Sequence, residues 1–290
     1  MNLKMTIRKM LRSREHESIR DSMDRHKIGL QKLLFRQKYT AENLRDALIR
    51  IGIKQGDTVF IHASWRAFYN FKGEPQDVIS ILESLIGDSG TLAMPCYGND
   101  RTFLDVNTTP SAAGYLSEVF RKLEGVIRSH CTHFSVAAKG QRAVFLTEEH
   151  ELSKYGFDLH SPCYKLSQIP NAKILFLGLG AIPTKISIFH CAGAILYDTD
   201  PKIKALLSNH YKATLIDESG CEHENEMIIR IPGHGNDENV FRQIFKSIHN
   251  KKSIKVSNLD VVLIDANEAL RAAVSYAKEG KYCYKNMKRL

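Results

Sequence analysis

The sequence predicts an α/β fold: a three-layer α/β/α sandwich with a mainly parallel central sheet and an appended N-terminal helical arm. Two observations favour it. Short apolar segments typical of buried strands alternate with segments of helical period for most of the length. The first of these form a strand–helix–strand unit, Thr58–His62, Gln76–Gly87 and Thr91–Pro95. Such a unit predicts parallel pairing with a right-handed crossover.

The remaining elements continue the alternation. Thr40 with Asn43 predicts the start of a helix that runs to about Ile51. Further along, we predict helices at Gly114–Leu123, Asn239–His249 and Ala266–Gly280, and strands at Phe134–Lys139, Ile174–Leu179, Tyr211–Asp217 and Met227–Ile231. Residues 1–38 are predicted as a charged helical arm, and residues 39–290 as the main domain.

Composition restricts the class of protein. With 290 residues, 43% of them hydrophobic, the chain can bury a substantial core. No apolar run approaches the ~20 residues that span a bilayer, so no integral membrane segment is expected. The N-terminus lacks the apolar stretch of a signal peptide, and we predict a cytoplasmic protein. Six cysteines without framework spacing predict reduced thiols and no disulfides.

Charge raises the question of nucleic acid, because the formal net charge is +9. The positive residues concentrate at 8–38, 246–255 and 278–289, and no basic stripe interleaved with aromatic residues occurs. We therefore predict no nucleic-acid partner. Solvated faces of terminal helices explain the excess of positive charge, with a small phosphate-bearing ligand as a second contributor.

Polar residues cluster in three places. Ser64 follows a buried strand, where exposed N–H groups favour anionic or carbonyl oxygens, although a helix-capping serine fits equally well. Thr109 and Ser111 flank Pro110 at a predicted helix start, and capping alone explains them. Residues 128–133 gather histidine and cysteine, but without the paired spacing of a zinc site, so no metal is predicted.

These segments together resemble the aminoglycoside 3-N-acetyltransferase family. The resemblance runs in order through "GDTVFIHASWRAF", "VISILESLIGDSGTLAMPCY", "TPSAAGYLSEVFRKLEGVIRSHCTHFSVAAKG", "HSPCYKL", "ILFLGLG" and "SIFH". It covers roughly residues 42–195 and is weak beyond residue 200. It implies an α/β/α sandwich that binds acetyl-CoA as co-substrate and transfers the acetyl group directly to a small-molecule amine.

The resemblance also implies roles for particular residues. Ser64, Thr109 and Ser111 lie in the loops that hold the pantetheine and phosphates of CoA in the family, and Arg128 is a weaker candidate. The family's catalytic stretch has the pattern Thr-x-x-His-x-x-Glu. Ser187 supplies the hydroxyl and His190 the general base, whereas Gly193 stands where the family has the glutamate that holds the imidazole.

The missing carboxylate leaves three interpretations open. Another acceptor, such as Asp158, Asp198, Asp200 or a main-chain carbonyl, orients His190. Alternatively, the amine has a low enough pKa to need no full dyad, or the chain binds CoA without turnover. Two interpretations do not depend on the family. In one, His190 is a core histidine without function, and in the other, the protein is a zinc-dependent hydrolase.

The basic composition and Gly193 favour an acceptor other than a polycationic antibiotic. We predict an amino sugar, free or carried on a nucleotide, and poor acetylation of clinical aminoglycosides. The arm is expected to pack along its own domain, with homodimer contacts as the alternative.

Overall fold

The computed structural model of the protein describes residue 10 and residues 19–290. The described strands are β1 (Thr58–Ala63), β2 (Thr91–Pro95), β3 (Phe103–Asp105), β4 (Ile127–Arg128), β5 (Val136–Gly140), β6 (Lys173–Leu177), β7 (Asn209–Ile216), β8 (Glu222–Ile229), β9 (Lys251–Val256) and β10 (Leu259–Asp265). The described helices are α1 (Ile19–Leu34), α2 (Ala41–Ile51), α3 (Pro75–Ile86), α4 (Tyr115–Phe120), α5 (Ala143–Thr147), α6 (Pro162–Gln168), α7 (Cys191–Leu196), α8 (Pro201–Leu206), α9 (Glu238–Ser247) and α10 (Ala266–Lys278). Short 3₁₀ helices cover Trp65–Phe68, His150–Leu152, Ser187–His190 and Met287–Arg289.

The main sheet has seven strands in the order β4-β5-β2-β1-β6-β10-β9. Its centre, β2-β1-β6, is parallel, and the predicted β1-α3-β2 unit pairs as expected. Both edges are antiparallel. At one edge only two residues join β9 to β10, and so short a connection permits only an antiparallel hairpin. The predicted α/β sandwich is confirmed.

Helices cover both faces of this sheet and bury a core on each. Helices α2, α3 and α4 pack on one face, together with the inward side chains Val59, Ile61 and Leu175. The opposite face carries α5, α6, α7, α9 and α10, which pack against Phe60 and Phe176. Strand alternation divides β1 between the two cores, because successive side chains point to opposite faces. The middle of β1, Val59, Phe60 and Ile61, is therefore apolar on both faces.

Two strand pairs differ from the expectation. The predicted strands after residue 209 form the β7–β8 hairpin, which lies outside the main sheet and pairs with β3 in a small sheet of three strands. Strands β9 and β10 were not predicted. The sequence of β9, KKSIKV, is mostly exposed, and charged residues of this kind are typical of a protected sheet edge.

Helix α1 lies within the predicted N-terminal arm, whereas residues 1–9 and 11–18 of that arm fall outside the described residues. The segment after α1 is attached to the domain: Asn70 Nδ2 donates to the Phe35 carbonyl at 2.7 Å, and Tyr39 forms a bridge with Phe71. The division at residue 38 stays a prediction. Among the described residues, no helix has the length and apolar character needed to cross a bilayer.

Candidate active site

A cavity of about 1210 Å³ opens at the edge where the parallel strands β1, β2 and β6 end. Ala63, Pro95 and Gly178 line it, at or just after the last residues of these strands. Gly178 has a φ of +74°, and an added Cβ would lie 2.4 Å from the Cβ of Ala67. Only glycine therefore allows the 3₁₀ turn after β1 to lie against the end of β6, which holds Ser64 at the cavity.

His190 ends the 3₁₀ turn Ser187–His190 and lines the same cavity. Its Nδ1 lies 2.9 Å from the hydroxyl of Tyr284, and that hydroxyl lies 2.6 Å from the hydroxyl of Tyr155. The ring stacks on Tyr284 and contacts Phe157, with centroid distances of 5.6 and 5.0 Å. The imidazole is thus held both by a hydrogen bond and by ring packing.

The surroundings of His190 disfavour a charged imidazole. Burial lowers the pKa of His190 to about 3, and the positive charge of Arg230 acts in the same direction. The guanidinium carbon of Arg230 lies 5.4 Å from the centroid of the Tyr284 ring. Burial also raises the pKa of Tyr284 well above its usual value and that of Tyr155 to about 12. Around neutral pH, all three side chains are neutral.

Ser187 and Ser64 also line the cavity. Ser187 opens the turn that ends at His190 and is 9% exposed. Ser64 sits at the N-cap of the turn after β1, but its side chain makes no capping hydrogen bond. Its backbone N–H donates to the Leu177 carbonyl at 2.9 Å. The hydroxyl of Ser64 is therefore available to a ligand, and helix capping does not account for it.

Comparison with known proteins decides the family. A family model described as aminoglycoside 3-N-acetyltransferase matches residues 60–278. The chain belongs to this family. A curated member, the aminoglycoside N(3)-acetyltransferase VII of Streptomyces paromomycinus, is 29% identical over 178 residues, which cover 54% of this chain and 60% of that protein. The chain thus spans about three fifths of the length of this relative.

Solved structures of family members show the same fold. Aminoglycoside acetyltransferase AAC(3)-Xa matches with a TM-score of 0.72 and 22% identity, over 89% of this chain and 99% of that one. AAC-IIIb, solved as a binary complex with CoASH, matches with a TM-score of 0.69 and 20% identity, over 84% and 98%. The α/β sandwich predicted from the family resemblance is the fold observed.

Thr109 and Ser111, expected to contact CoA, do not line the cavity. The Thr109 hydroxyl accepts from the Asp105 backbone N–H at 2.9 Å, and the Ser111 hydroxyl accepts from that of Ala113 at 3.3 Å. The backbone N–H of Ser111 donates to Glu118 at 2.7 Å. These bonds shape the loop before α4, and it is the next three residues, 112–114, that reach the cavity.

Arg128 lies away from the cavity and is only 6% exposed. Its guanidinium donates to the carbonyls of Thr109 at 2.6 Å, Val106 at 3.3 Å and Cys96. All three acceptors belong to the chain between β2 and α4. Arg128 therefore holds this connection in place, and its donors are already used by the protein itself.

None of the carboxylates suggested by the sequence braces His190. Asp158 accepts from the backbone N–H of Lys154 at 2.9 Å. Asp200 caps α8 and accepts from the Tyr282 hydroxyl at 2.7 Å, and Asp198 is exposed. The side chain that meets Nδ1 comes instead from Tyr284, 94 positions further along the chain.

The histidines considered for zinc are dispersed. His133 lines the cavity, whereas His130 binds Glu218 and His150 is buried against Ser129. Within the part of the chain that the structure describes, no three histidine, cysteine or acidic side chains gather where they could hold a metal ion.

Sequence reasoning missed four side chains of the site: Tyr155, Tyr284, Arg101 and Arg230. Tyr155 and Arg101 lie between the recognised segments, and the other two lie beyond residue 200, where the resemblance is weak. No local pattern marks them.

Proposed function

We propose that the protein is an acetyl-CoA-dependent N-acetyltransferase that acts on an amine by direct transfer, with His190 as general base. The observation that carries this proposal is the meeting of His190, Ser187 and Ser64 on one cavity. These residues come from the loops after β6 and β1, and the carboxyl edge of a parallel sheet is where α/β folds bind ligands. Family membership supports the reaction class.

The cavity suits two substrates. Its volume of about 1210 Å³ exceeds the range of roughly 300–1,000 Å³ that is usual for one small ligand. The AAC-IIIb structure contains CoASH, and we carry this ligand over to the present chain. The hydroxyl of Ser64 offers hydrogen bonds to the amides and phosphates of acetyl-CoA, and residues 112–114 lie on the same cavity. All six cysteines are unpaired, which agrees with a cytoplasmic location.

In the proposed reaction the amine nitrogen attacks the thioester carbonyl and forms the new C–N bond. His190 takes the proton that the nitrogen loses, and the hydroxyl of Ser187 donates to the carbonyl oxygen as negative charge develops there. The C–S bond then breaks, and His190 returns the proton to the sulfur. The products are an N-acetylated amine and free CoA, so no atom or proton is left over.

The low basicity of His190 restricts the amine. An imidazole with a pKa of about 3 is neutral near pH 7, but it does not readily deprotonate a stable ammonium group. It can accept a proton once attack on the carbonyl has made the nitrogen strongly acidic. We therefore infer that the amine arrives uncharged, which favours amines of low pKa.

The charges around the cavity favour an acceptor that carries negative charge. Among the described lining residues, the cations are Arg66, Arg101, Lys185 and Arg230, and the one carboxylate is Asp260. Asp260 already faces Lys255 at 3.7 Å. A polycationic aminoglycoside would meet repulsion here, whereas a nucleotide-linked amino sugar would bring phosphates to the arginines. We propose this second class of acceptor.

Thiol release from acetyl-CoA tests the proposal. The amines are a nucleotide-linked amino sugar, the same sugar without the nucleotide, and an aminoglycoside panel. We expect the highest kcat/KM with the nucleotide form. Arg101→Gln should lower kcat/KM for that form several-fold more than for the free sugar, whereas Arg142→Gln, an exposed charge away from the cavity, should change neither.

Two other outcomes would overturn parts of the proposal. Efficient acetylation of the antibiotics would return the acceptor to the class named in the curated relatives. Binding of CoA without thiol release for every amine would instead indicate a non-catalytic CoA-binding protein.

A further inference from the structure

The Tyr284 hydroxyl, which meets Nδ1 of His190, also forms a hydrogen bond with the hydroxyl of Tyr155. Tyr284 is 4% and Tyr155 6% exposed, and their hydroxyls lie 2.6 Å apart. Tyr284 is fixed through its neighbours in the chain: Asp237 N–H donates to the Cys283 carbonyl, and Lys285 N–H donates to the Gly235 carbonyl, both at 2.8 Å. The phenol that meets Nδ1 therefore has a defined position.

The hydrogens of His190, Tyr284 and Tyr155 allow two hydrogen-bond arrangements. If Tyr284 donates to Nδ1, the imidazole hydrogen is on Nε2, and Nε2 cannot accept a proton. If Nδ1 carries the hydrogen, Nδ1 donates to Tyr284, whose own hydrogen can then go to Tyr155. Tyr155 lines the cavity, so its own hydrogen can point there. Only the second arrangement leaves the Nε2 lone pair free.

Position 193 explains why tyrosine can fill this role. Gly193 lies three residues after His190, on the same side of the helix. A Cβ added there would lie 3.9 Å from the Tyr284 hydroxyl and 3.9 Å from a ring carbon of Tyr155. A Cβ at these distances would already be in van der Waals contact with both phenols. The lack of a side chain at position 193 thus leaves room for the tyrosine pair.

We infer that Tyr284 is the positioning residue for His190, and that in the active form Nδ1 donates to Tyr284 and Tyr284 donates to Tyr155, which leaves Nε2 free to accept a proton. This inference rests on the proposed function for its catalytic meaning. Because the phenols are neutral, they orient the ring and accept from the imidazolium without adding the negative charge of a carboxylate. The arrangement supports a base of low strength.

The tautomer of His190 can be measured without turnover. In ¹⁵N–¹H spectra of the full chain, free and with CoA, His190 of the wild type should show a protonated Nδ1 and an unprotonated Nε2. His190→Asn assigns the signals. In Tyr284→Phe the ring stack is retained while the acceptor is lost, and the hydrogen should move to Nε2, the tautomer that an unconstrained histidine prefers.

Kinetics give a second measure. Tyr284→Phe should lower kcat by about 10- to 100-fold with the KM for acetyl-CoA changed less than about twofold, because tautomer and orientation are lost but the ligand contacts remain. Tyr155→Phe should lower kcat by about 3- to 10-fold. Tyr276→Phe is the control, since its hydroxyl donates to the Gln243 carbonyl at 3.4 Å and lies away from the cavity.

The two proposals fail in different ways. An Nε2–H tautomer in the wild type, or an unchanged tautomer in both Tyr284→Phe and Tyr155→Phe, would overturn the role of the tyrosine pair whatever the enzyme does. If the predicted tautomers are found but no amine is acetylated, the positioning stands and the transferase proposal fails.

Discussion

Replacing Arg128 with methionine separates a structural from a ligand-binding role for this residue. The resemblance to the family suggested CoA binding, whereas the structure places the guanidinium against the carbonyls of Thr109, Val106 and Cys96. Methionine has a similar length and no donors. We expect the variant to fold with markedly lower stability, because buried carbonyl groups lose a charged donor.

The magnitude follows from the contacts. A hydrogen bond to a charged group contributes about 1.5–3 kcal/mol, and Arg128 makes two close ones, to Thr109 and Cys96. Removing the guanidinium also relieves the cost of burying its charge. We therefore expect a net loss of about 3 kcal/mol in unfolding free energy, which corresponds to a Tm lower by roughly 5 °C for a chain of 290 residues.

Thermal and urea unfolding, with isothermal titration of acetyl-CoA, measure both roles. Arg45→Met is the control, since this exposed arginine donates to the Ser84 hydroxyl on the surface, and its effect should stay within about 0.5 kcal/mol. If Arg128→Met keeps the wild-type Tm but binds acetyl-CoA far more weakly, the structural assignment is refuted and Arg128 contacts the ligand.

The other predictions concern the cavity and its histidines. His190→Ala should lower kcat by about 100-fold or more with little change in acetyl-CoA affinity, and an unchanged rate would exclude it as the base. Ser64→Ala should weaken acetyl-CoA binding in titrations, whereas Ser111→Ala, whose hydroxyl serves its own loop, should not; equal effects would contradict this distinction. Stability should fall in acid. Burial lowers the pKa of His62, His133, His150 and His190 to about 3. Below pH ~6.5 the unfolded chain therefore binds protons that the folded chain does not, and each of these histidines removes up to about 1.4 kcal/mol per pH unit. The Tm should be lower at pH 5 than at pH 7.5 and nearly constant between pH 7 and 8. Equal values at pH 5 and 7.5 would show that these side chains titrate normally.

The sequence by itself determined the elements whose burial is local in origin. The apolar runs of β1, β2 and β6 and the period of α3 were sufficient to predict a parallel centre, since a strand–helix–strand unit has essentially one way to pair. The position of Ser64 followed from the same argument, because the residue after a central strand must lie at the edge of the sheet. Strand β9 escaped prediction because its side chains are mostly exposed and show no alternation of burial.

Only the tertiary structure decided which polar groups meet. Arg128 could not be distinguished from a ligand contact until its three carbonyl acceptors were known. The partner of His190 lies 94 residues away, in a segment joined to the loop before α9 by backbone hydrogen bonds. A hydrogen-bond acceptor needs only to be within about 3 Å, and that condition depends on how distant segments pack and not on spacing along the chain. At position 193 the sequence has glycine where the family has a glutamate, and the fold places Tyr155 and Tyr284 beside that glycine.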